Sequence, residues 1–105
     1  MDWSDTFRDR FYGPGYVYIA GSLSHRVLKI GTTVNMKSRM ATLVPDEILA
    51  TEPGDRDLEQ MRHKQFRALR VRGERFRPEG DLLGHIKMLR EHYGSPQMTG
   101  YVRTR

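Results

Sequence analysis

The chain has 105 residues and a net charge of +5, so it has room for one compact domain and carries an excess of basic side chains. It contains no cysteine, which excludes disulfides, a thiolate nucleophile and zinc sites built on sulfur. Its longest apolar run, residues 16–20, is far below the roughly 20 residues of a membrane span, so we expect a cytoplasmic protein without membrane contact.

The first predicted element is a short helical segment over residues 1–14. Trp3, Phe7 and Phe11 are spaced four residues apart and would lie on one face of a helix docked on the core. The segment lacks the cationic start and apolar core of a secretory signal. A Gly-Pro-Gly sequence at residues 13–15 then breaks the chain, and we place the boundary of the main domain there.

Three segments have the β-branched and aromatic composition of strands. Residues 16–20 and 27–31 are separated by turn-like residues, which predicts a hairpin with a rather long loop. Residues 47–51 predict a third strand, which a proline and a glycine close shortly afterwards. The sequence therefore predicts a small antiparallel sheet of three strands.

Helical spacing is found in three segments between and after the strands. Asn35 is a candidate N-cap for the first of these helices. Asp55 or Asp57 is a candidate cap for the second, which we expect to run to about residue 69. The last helix is predicted over about residues 82–93. We therefore predict an α+β domain, a small antiparallel three-stranded sheet flanked by helices.

Basic residues are concentrated between positions 62 and 77, where seven of them stand against one acid, Glu74. Most are arginines, whose planar guanidinium groups match phosphate oxygens. The run indicates a polyanionic partner, of which nucleic acid is the commonest, although it could also be a solvated helix face. The candidate binding residues are Lys37, Arg62, Arg67, Arg70, Arg72 and Arg75.

The signatures of several common enzyme classes are missing from the sequence. It has no Walker-type phosphate loop, no H-E-x-x-H zinc motif and no G-x-S-x-G nucleophile motif. His85 and His92 lie seven residues apart on the last predicted helix, but no third ligand is near them in the sequence. A solvated helix edge is the better interpretation of this pair.

The remaining candidates are spread over four predicted elements. Tyr18 lies in the first strand, and Lys29 follows it in the second strand after ten intervening residues. Arg39 lies on the first helix of the main domain, and Glu59 lies near the start of the next one, four residues before His63. This order and spacing resemble the GIY-YIG nuclease superfamily, which carries two tripeptides on adjacent strands, an arginine on the next helix and a glutamate on a later one.

The two tripeptides are Tyr-Val-Tyr at residues 16–18 and Lys-Ile-Gly at residues 29–31. The glutamate, the histidine, a phenylalanine at position 66 and the Gly-Glu-Arg-Phe sequence at residues 73–76 are similar to a phage-associated branch of that superfamily. The resemblance covers about residues 15 to 86. It implies a nuclease domain over residues 15–93, followed by a tail over residues 94–105, and a phage or mobile-element origin.

The resemblance also implies a role for each residue in cleaving DNA, preferentially double-stranded DNA. Tyr18 would orient or deprotonate the attacking water. Independently of the resemblance, a positive charge from Lys29 on the adjacent strand could lower the pKa of Tyr18. Arg39 would stabilise charge on the phosphoryl group. Glu59 would hold one Mg²⁺, for which Mn²⁺ can substitute. His63 would assist as a base or support the metal ligand, or it would pack near Phe66; packing or support is the favoured interpretation.

Departures from the family pattern leave other functions open. Tyr16 replaces the first glycine, Lys29 replaces the usual tyrosine of the second tripeptide, and Leu43 stands where a histidine or tyrosine is common. One alternative is a DNA-binding module of the same fold that does not cut. Another is a regulatory domain that binds an acidic protein partner. A homodimer would allow a nuclease with one site per chain to cut both strands, and the sequence leaves the oligomeric state open.

Overall fold

The computed structural model describes residues 15–43 and 45–96. These ranges contain five β-strands, three α-helices and one short 3₁₀ helix. In chain order they are β1 (Tyr16–Ser22), β2 (Val27–Thr33), α1 (Met36–Leu43), β3 (Glu47–Pro53), α2 (Arg56–Gln65), the 3₁₀ helix (Arg67–Leu69), β4 (Arg70–Arg72), β5 (Arg75–Phe76) and α3 (Gly80–Tyr93). The predicted N-terminal helix over residues 1–14 and most of the predicted tail lie outside the described residues.

The sheet has five antiparallel strands in the order β3-β1-β2-β5-β4, so the prediction of a three-stranded sheet is wrong. The α+β class is correct. The two additional strands have only three and two residues, and most of their side chains are exposed and charged. They therefore lack the alternation of apolar and polar residues by which a half-buried strand is recognised.

The sequence feature that identifies the additional β4–β5 hairpin is its turn. Arg72 pairs with Arg75, which leaves Gly73 and Glu74 as a two-residue loop. Gly73 has a φ of +54°, in the left-handed region that glycine adopts most readily. A glycine at the first position of a two-residue loop is a known hairpin signal, even where the flanking strands are short and polar.

The structure confirms the other predicted elements, with shifted ends. Asp55 caps α2, since its side chain accepts hydrogen bonds from the backbone N–H groups of Asp57 and Leu58. Asn35 caps α1 by accepting from the N–H of Ser38 at 3.1 Å. The helix α2 ends at Gln65 rather than near residue 69, because the chain tightens there into the 3₁₀ helix.

Both faces of the sheet are covered by helices. Val17 and Ile19 of the central strand β1 point to one face, into a cluster with Phe66 and the apolar side of α3. Tyr18 and Ala20 point to the other face, into a cluster with the two methionines of α1. Residues 17–20 are therefore all buried, and a buried central strand reads as a continuous apolar run. Within the described ranges, no helix is both long and apolar enough to span a membrane.

Candidate functional site

The site forms where the pairing on one side of β2 stops. The strand β5 pairs with β2 at Leu28 and Lys29. The N–H of Ile30 then donates to the carbonyl oxygen of Glu74, in the hairpin turn, at 3.0 Å. Beyond this bond, the last residues of β2 pair with β1, and no second strand is paired with them among the described residues. The end of β2 therefore has one open edge.

A cleft of about 520 Å³ includes this open edge. Its walls come from β1, the end of β2, α1, α2 and the β4–β5 turn, so all of these elements contribute side chains to one space. The lining residues are Tyr18, Thr32, Thr33, Val34, Arg39, Asp55, Arg56, Glu59 and Glu74. Three of the residues selected from the sequence, Tyr18, Arg39 and Glu59, thus share the cleft, and Lys29 is not in its lining.

Tyr18 is fully buried, and its ring lies directly over Gly31 of the neighbouring strand. A β-carbon added to Gly31 would come within 2.5 Å of the tyrosine Oη, so this position accommodates the ring only as glycine. The hydroxyl group has no hydrogen bond of good geometry to any described residue. A buried polar group without a partner destabilises a fold, which makes this hydroxyl unusual for a core residue.

Burial is the main reason why the pKa of Tyr18 lies above its ordinary value. The negative charges of Glu74 and Glu59 raise it further, while Arg39 lowers it through its positive charge and through the approach of its guanidinium to the hydroxyl. The cation beside the phenol is therefore Arg39. Lys29, which we expected to lower this pKa, has its Nζ 3.6 Å from a carboxylate oxygen of Glu74.

Glu59 is a buried carboxylate in the first turn of α2. Its Oε1 accepts a short hydrogen bond from the hydroxyl of Thr32, and its Oε2 lies 3.9 Å from Nε2 of His63. The helix cap at Asp55 fixes this turn, because the N–H of Glu59 donates to the carbonyl of Asp55 at 3.0 Å. A carboxylate here is close to the positive end of the helix dipole.

Glu74 completes a small cluster that the sequence did not reveal. One ligand atom each from Glu59, His63 and Glu74 lies within 4.8 Å of the others, a separation that suits a metal ion. In the sequence, Glu74 is a single acid inside a run of arginines and belongs to the Gly-Glu-Arg-Phe motif of the resemblance, but we assigned no metal-binding role to it. The signal that could have identified it is the Gly-Glu turn, which places this side chain beside β2.

His63 is buried against the sheet behind Glu59. Its Nε2 lies 2.9 Å from the carbonyl oxygen of Ile30, so the ring nitrogen donates a hydrogen bond to the strand backbone. The imidazole packs against Phe76, with ring centroids 5.2 Å apart, rather than against Phe66. His63 thus joins α2 to β2 next to the point where the strand edge opens.

Most of the basic residues selected from the sequence are exposed. Arg70, Arg72 and Arg75 lie on the β4–β5 hairpin, which we call the arginine hairpin (residues 70–76). Among the described residues, no ion pair is formed by these three, by Arg67 or by the exposed Lys37 of α1. These basic groups are therefore available to an anionic partner.

Arg62 differs from the rest of this set. Its Nε and Nη2 each lie 2.8 Å from an oxygen of the buried Glu52, a bidentate ion pair in the core. Burial alone would raise the pKa of Glu52, but the contacts with Arg62 and the nearby His85 outweigh it and lower that pKa to about 2. The sequence cannot separate such an arginine from its exposed neighbours, because the distinction depends on a carboxylate ten residues earlier.

The T5orf172 domain family matches residues 15–95. The chain belongs to this family. The T5orf172 domain is a phage-associated domain whose fold is related to GIY-YIG-like nuclease and DNA-binding modules, and the match is to this domain rather than to a GIY-YIG nuclease family. Comparisons with curated proteins and with solved structures gave no match.

Replacing Tyr18 by phenylalanine should stabilise this T5orf172 domain. The change removes a buried hydroxyl that has no hydrogen bond of good geometry, and we expect the free energy of unfolding to rise by about 1 kcal/mol in urea titrations. Tyr93→Phe, at a half-exposed tyrosine, is the matched control and should leave the free energy of unfolding unchanged. A loss of stability in Tyr18→Phe would show that the hydroxyl has a partner in the folded state.

Proposed function

We propose that this protein is a DNA endonuclease that hydrolyses phosphodiester bonds with the help of one divalent cation, Mg²⁺ or Mn²⁺. The observation that carries the proposal is the cleft shared by Tyr18, Arg39 and Glu59. These residues come from three elements far apart in the chain, and they are the ones to which the resemblance to GIY-YIG nucleases gives roles. Membership of the T5orf172 domain family agrees with a nuclease or DNA-binding module.

The cleft has the charges that phosphodiester hydrolysis requires. Negative charge builds up on the phosphoryl oxygens in the transition state, and a fixed cation beside them lowers the barrier. Arg39 is exposed at the cleft and can contact a phosphate from α1. Its backbone N–H donates to the carbonyl of Asn35 at 3.0 Å, so the helix cap and the first helical turn fix its position.

The residues present also fit a hard divalent cation. Mg²⁺ prefers oxygen ligands and is commonly held by one or two carboxylates together with substrate phosphate. Glu59 supplies such a carboxylate from the wall of the cleft, and Thr32 and the first turn of α2 hold it in place. A bound cation would neutralise phosphate charge and activate a water molecule.

Tyr18 is better suited to orient the attacking water than to deprotonate it. A phenol with a pKa above its ordinary value of 10.0 is neutral at physiological pH and is a poor base. Its buried hydroxyl can still donate or accept a hydrogen bond at the wall of the cleft. Of the two roles that the resemblance implies for this tyrosine, the structure favours positioning.

Duplex DNA is the proposed partner, and the arginine hairpin is its proposed binding surface. The hairpin turn carries Glu74 into the cleft, so the exposed arginines begin within a few residues of the proposed reaction site. A DNA strand bound by Arg72 and Arg75 would therefore pass close to Arg39 and Glu59. The preference for DNA over RNA comes from the family resemblance and not from these residues.

A DNA-binding module that does not cut is the second candidate. The raised pKa of Tyr18 favours it, as do Lys29 and Leu43 at positions where proton-handling groups are common in the resembled superfamily. Such a module would use the same arginines but would have no need of a divalent cation. The two candidates therefore differ in metal-dependent strand cleavage and agree in DNA binding.

Cleavage of supercoiled plasmid in Mg²⁺, repeated in Mn²⁺, distinguishes the two candidates. We expect the wild-type protein to nick or linearise the plasmid. We expect Glu59→Gln and Arg39→Ala each to slow cleavage by about 100-fold or more, because the first weakens the hold on the cation and the second removes the positive charge beside the phosphoryl group. Glu79→Gln, which changes a carboxylate outside the cleft, should cut at the wild-type rate. If neither the wild type nor any variant cleaves the plasmid in either metal, while DNA binding persists, the protein is a binding module.

The salt dependence of DNA affinity tests the arginine hairpin. If Arg72 and Arg75 contact phosphates, the slope of log affinity against log salt concentration should become shallower by about 0.9 for each residue replaced by alanine. Arg26→Ala is the matched control, since Arg26 is exposed but already paired with Glu79 at 2.8 Å. Equal slopes for the wild type and the double alanine variant would exclude the hairpin as the phosphate-binding surface.

A further inference from the structure

The backbone, and not the side chain, fixes the position of Glu74. Its carbonyl oxygen accepts the hydrogen bond from Ile30, and Gly73 before it gives the hairpin its two-residue turn. Its carboxylate then lies in the lining of the cleft, and one carboxylate oxygen is 3.6 Å from Nζ of Lys29. The fold thus holds a second carboxylate near Glu59 through backbone contacts, in addition to the ion pair with Lys29.

Two carboxylates this close repel each other, and burial strengthens the repulsion. Glu59 is only 8 % exposed, and its ligand atoms lie within 4.8 Å of those of Glu74. Solvent reaches Glu74, whose side chain is 42 % exposed, and screens part of the repulsion, but the buried Glu59 remains poorly solvated, so a cation between the two carboxylates would be stabilising. Lys29 partly compensates Glu74, but no lysine or arginine among the described residues forms an ion pair with Glu59.

A second observation in the same cleft also indicates a ligand. Tyr18 lines the cleft, and its fully buried hydroxyl has no hydrogen bond of good geometry to any described residue. Buried polar groups in folded proteins nearly always have partners, so a hydroxyl without one, on a residue that lines the cleft, indicates a polar species that binds in the cleft. The tyrosine hydroxyl and the two carboxylates belong to different strands, helices and turns but line the same space.

We infer that Glu74 is a second carboxylate ligand, beside Glu59, for a hard divalent cation such as Mg²⁺ or Mn²⁺, and that Lys29 is the competing counter-ion of Glu74. The inference rests on the proposed function only in taking the cleft as a cation site. Two carboxylates and no soft ligand are the donor set that suits these ions. The shared site therefore spans α2 and the β4–β5 turn.

His63 is a positioning residue in this site rather than a ligand. Its Nε2 donates to the carbonyl of Ile30 at 2.9 Å, and a nitrogen that carries this proton cannot coordinate a cation at the same time. The ring links Ile30, whose N–H holds the turn of Glu74, to the helix that carries Glu59. It therefore connects the elements that carry the two carboxylates.

The two ligands also couple the cation to DNA binding. Glu74 stands between Arg72 and Arg75 on the arginine hairpin, so a cation that fixes the turn also restricts the adjacent arginines. Coupling between two binding sites is reciprocal, so a cation that favours the DNA-binding arrangement of the hairpin must itself bind more tightly in the DNA complex.

A titration of the full chain with Mn²⁺, in which the signal of the free ion is followed by electron paramagnetic resonance, tests the assignment without any cleavage assay. We expect Glu59→Gln and Glu74→Gln each to weaken Mn²⁺ binding about tenfold or more. Lys29→Met should strengthen it several-fold, because it removes a positive charge that competes for Glu74. Glu79→Gln is the carboxylate control and should bind as the wild type does, and a thermal unfolding curve for each variant shows that it is folded.

Each result separates the inference from the proposed function. Wild-type affinity in folded Glu74→Gln, together with a loss in Glu59→Gln, would overturn the role of Glu74 and leave the single-glutamate nuclease site standing. An absence of Mn²⁺ binding by the wild type would overturn both. Weaker binding in Lys29→Met would contradict the assignment of Lys29 as a competing counter-ion. The assignment would be supported if Mn²⁺ affinity falls only in Glu59→Gln and Glu74→Gln and rises in Lys29→Met.

Discussion

The arrangement of the cleft depends on the residue at which the hairpin stops pairing with β2. The last bond, from the N–H of Ile30 to the carbonyl of Glu74, closes the pairing and at the same time brings the turn carboxylate to the strand edge. The final residues of β2 are left open, and the cleft forms beside them. A hairpin longer by one residue pair would cover that edge, and a shorter one would withdraw Glu74.

The packing around Tyr18 has a cost for stability that function can explain. A phenol is placed in the core against Gly31, where any larger residue would collide with it, and its hydroxyl is left without a hydrogen bond. Phenylalanine would fill the same space without this penalty. Functional sites commonly retain such locally unfavourable groups because the chemistry requires them. The same burial raises the pKa of Tyr18 and keeps the phenol protonated, which explains why its hydroxyl suits the orientation of a water molecule.

Part of this arrangement can be read from the sequence. The strands β1, β2 and β3 and the three helices follow from β-branched composition, helical spacing and caps at Asn35 and Asp55. The resemblance selected Tyr18, Arg39 and Glu59, which share the cleft. From strand pairing we also expected a positive charge from Lys29 beside the tyrosine. In the structure that charge belongs to Arg39, because long side chains reach partners that strand pairing alone does not determine.

Other parts of the fold and of the cleft could not be predicted from the sequence. The strands β4 and β5 are short and charged, so only their glycine turn identifies them. Glu74 and Arg62 both sit in one basic run, yet the first enters the cleft and the second closes a buried ion pair with Glu52. Both outcomes depend on contacts between residues that are far apart in the chain, and composition and periodicity do not record such contacts.

The most direct test of the account is a crystal structure of the protein with a short DNA duplex and Ca²⁺, a cation that mimics Mg²⁺ while slowing turnover, with the ion located by anomalous scattering. The account predicts a Ca²⁺ ion within about 2.6 Å of a carboxylate oxygen of Glu59 and of a DNA phosphate, beside Arg39. A duplex bound across another face of the domain, with neither a phosphate nor an ion in the cleft, would contradict it.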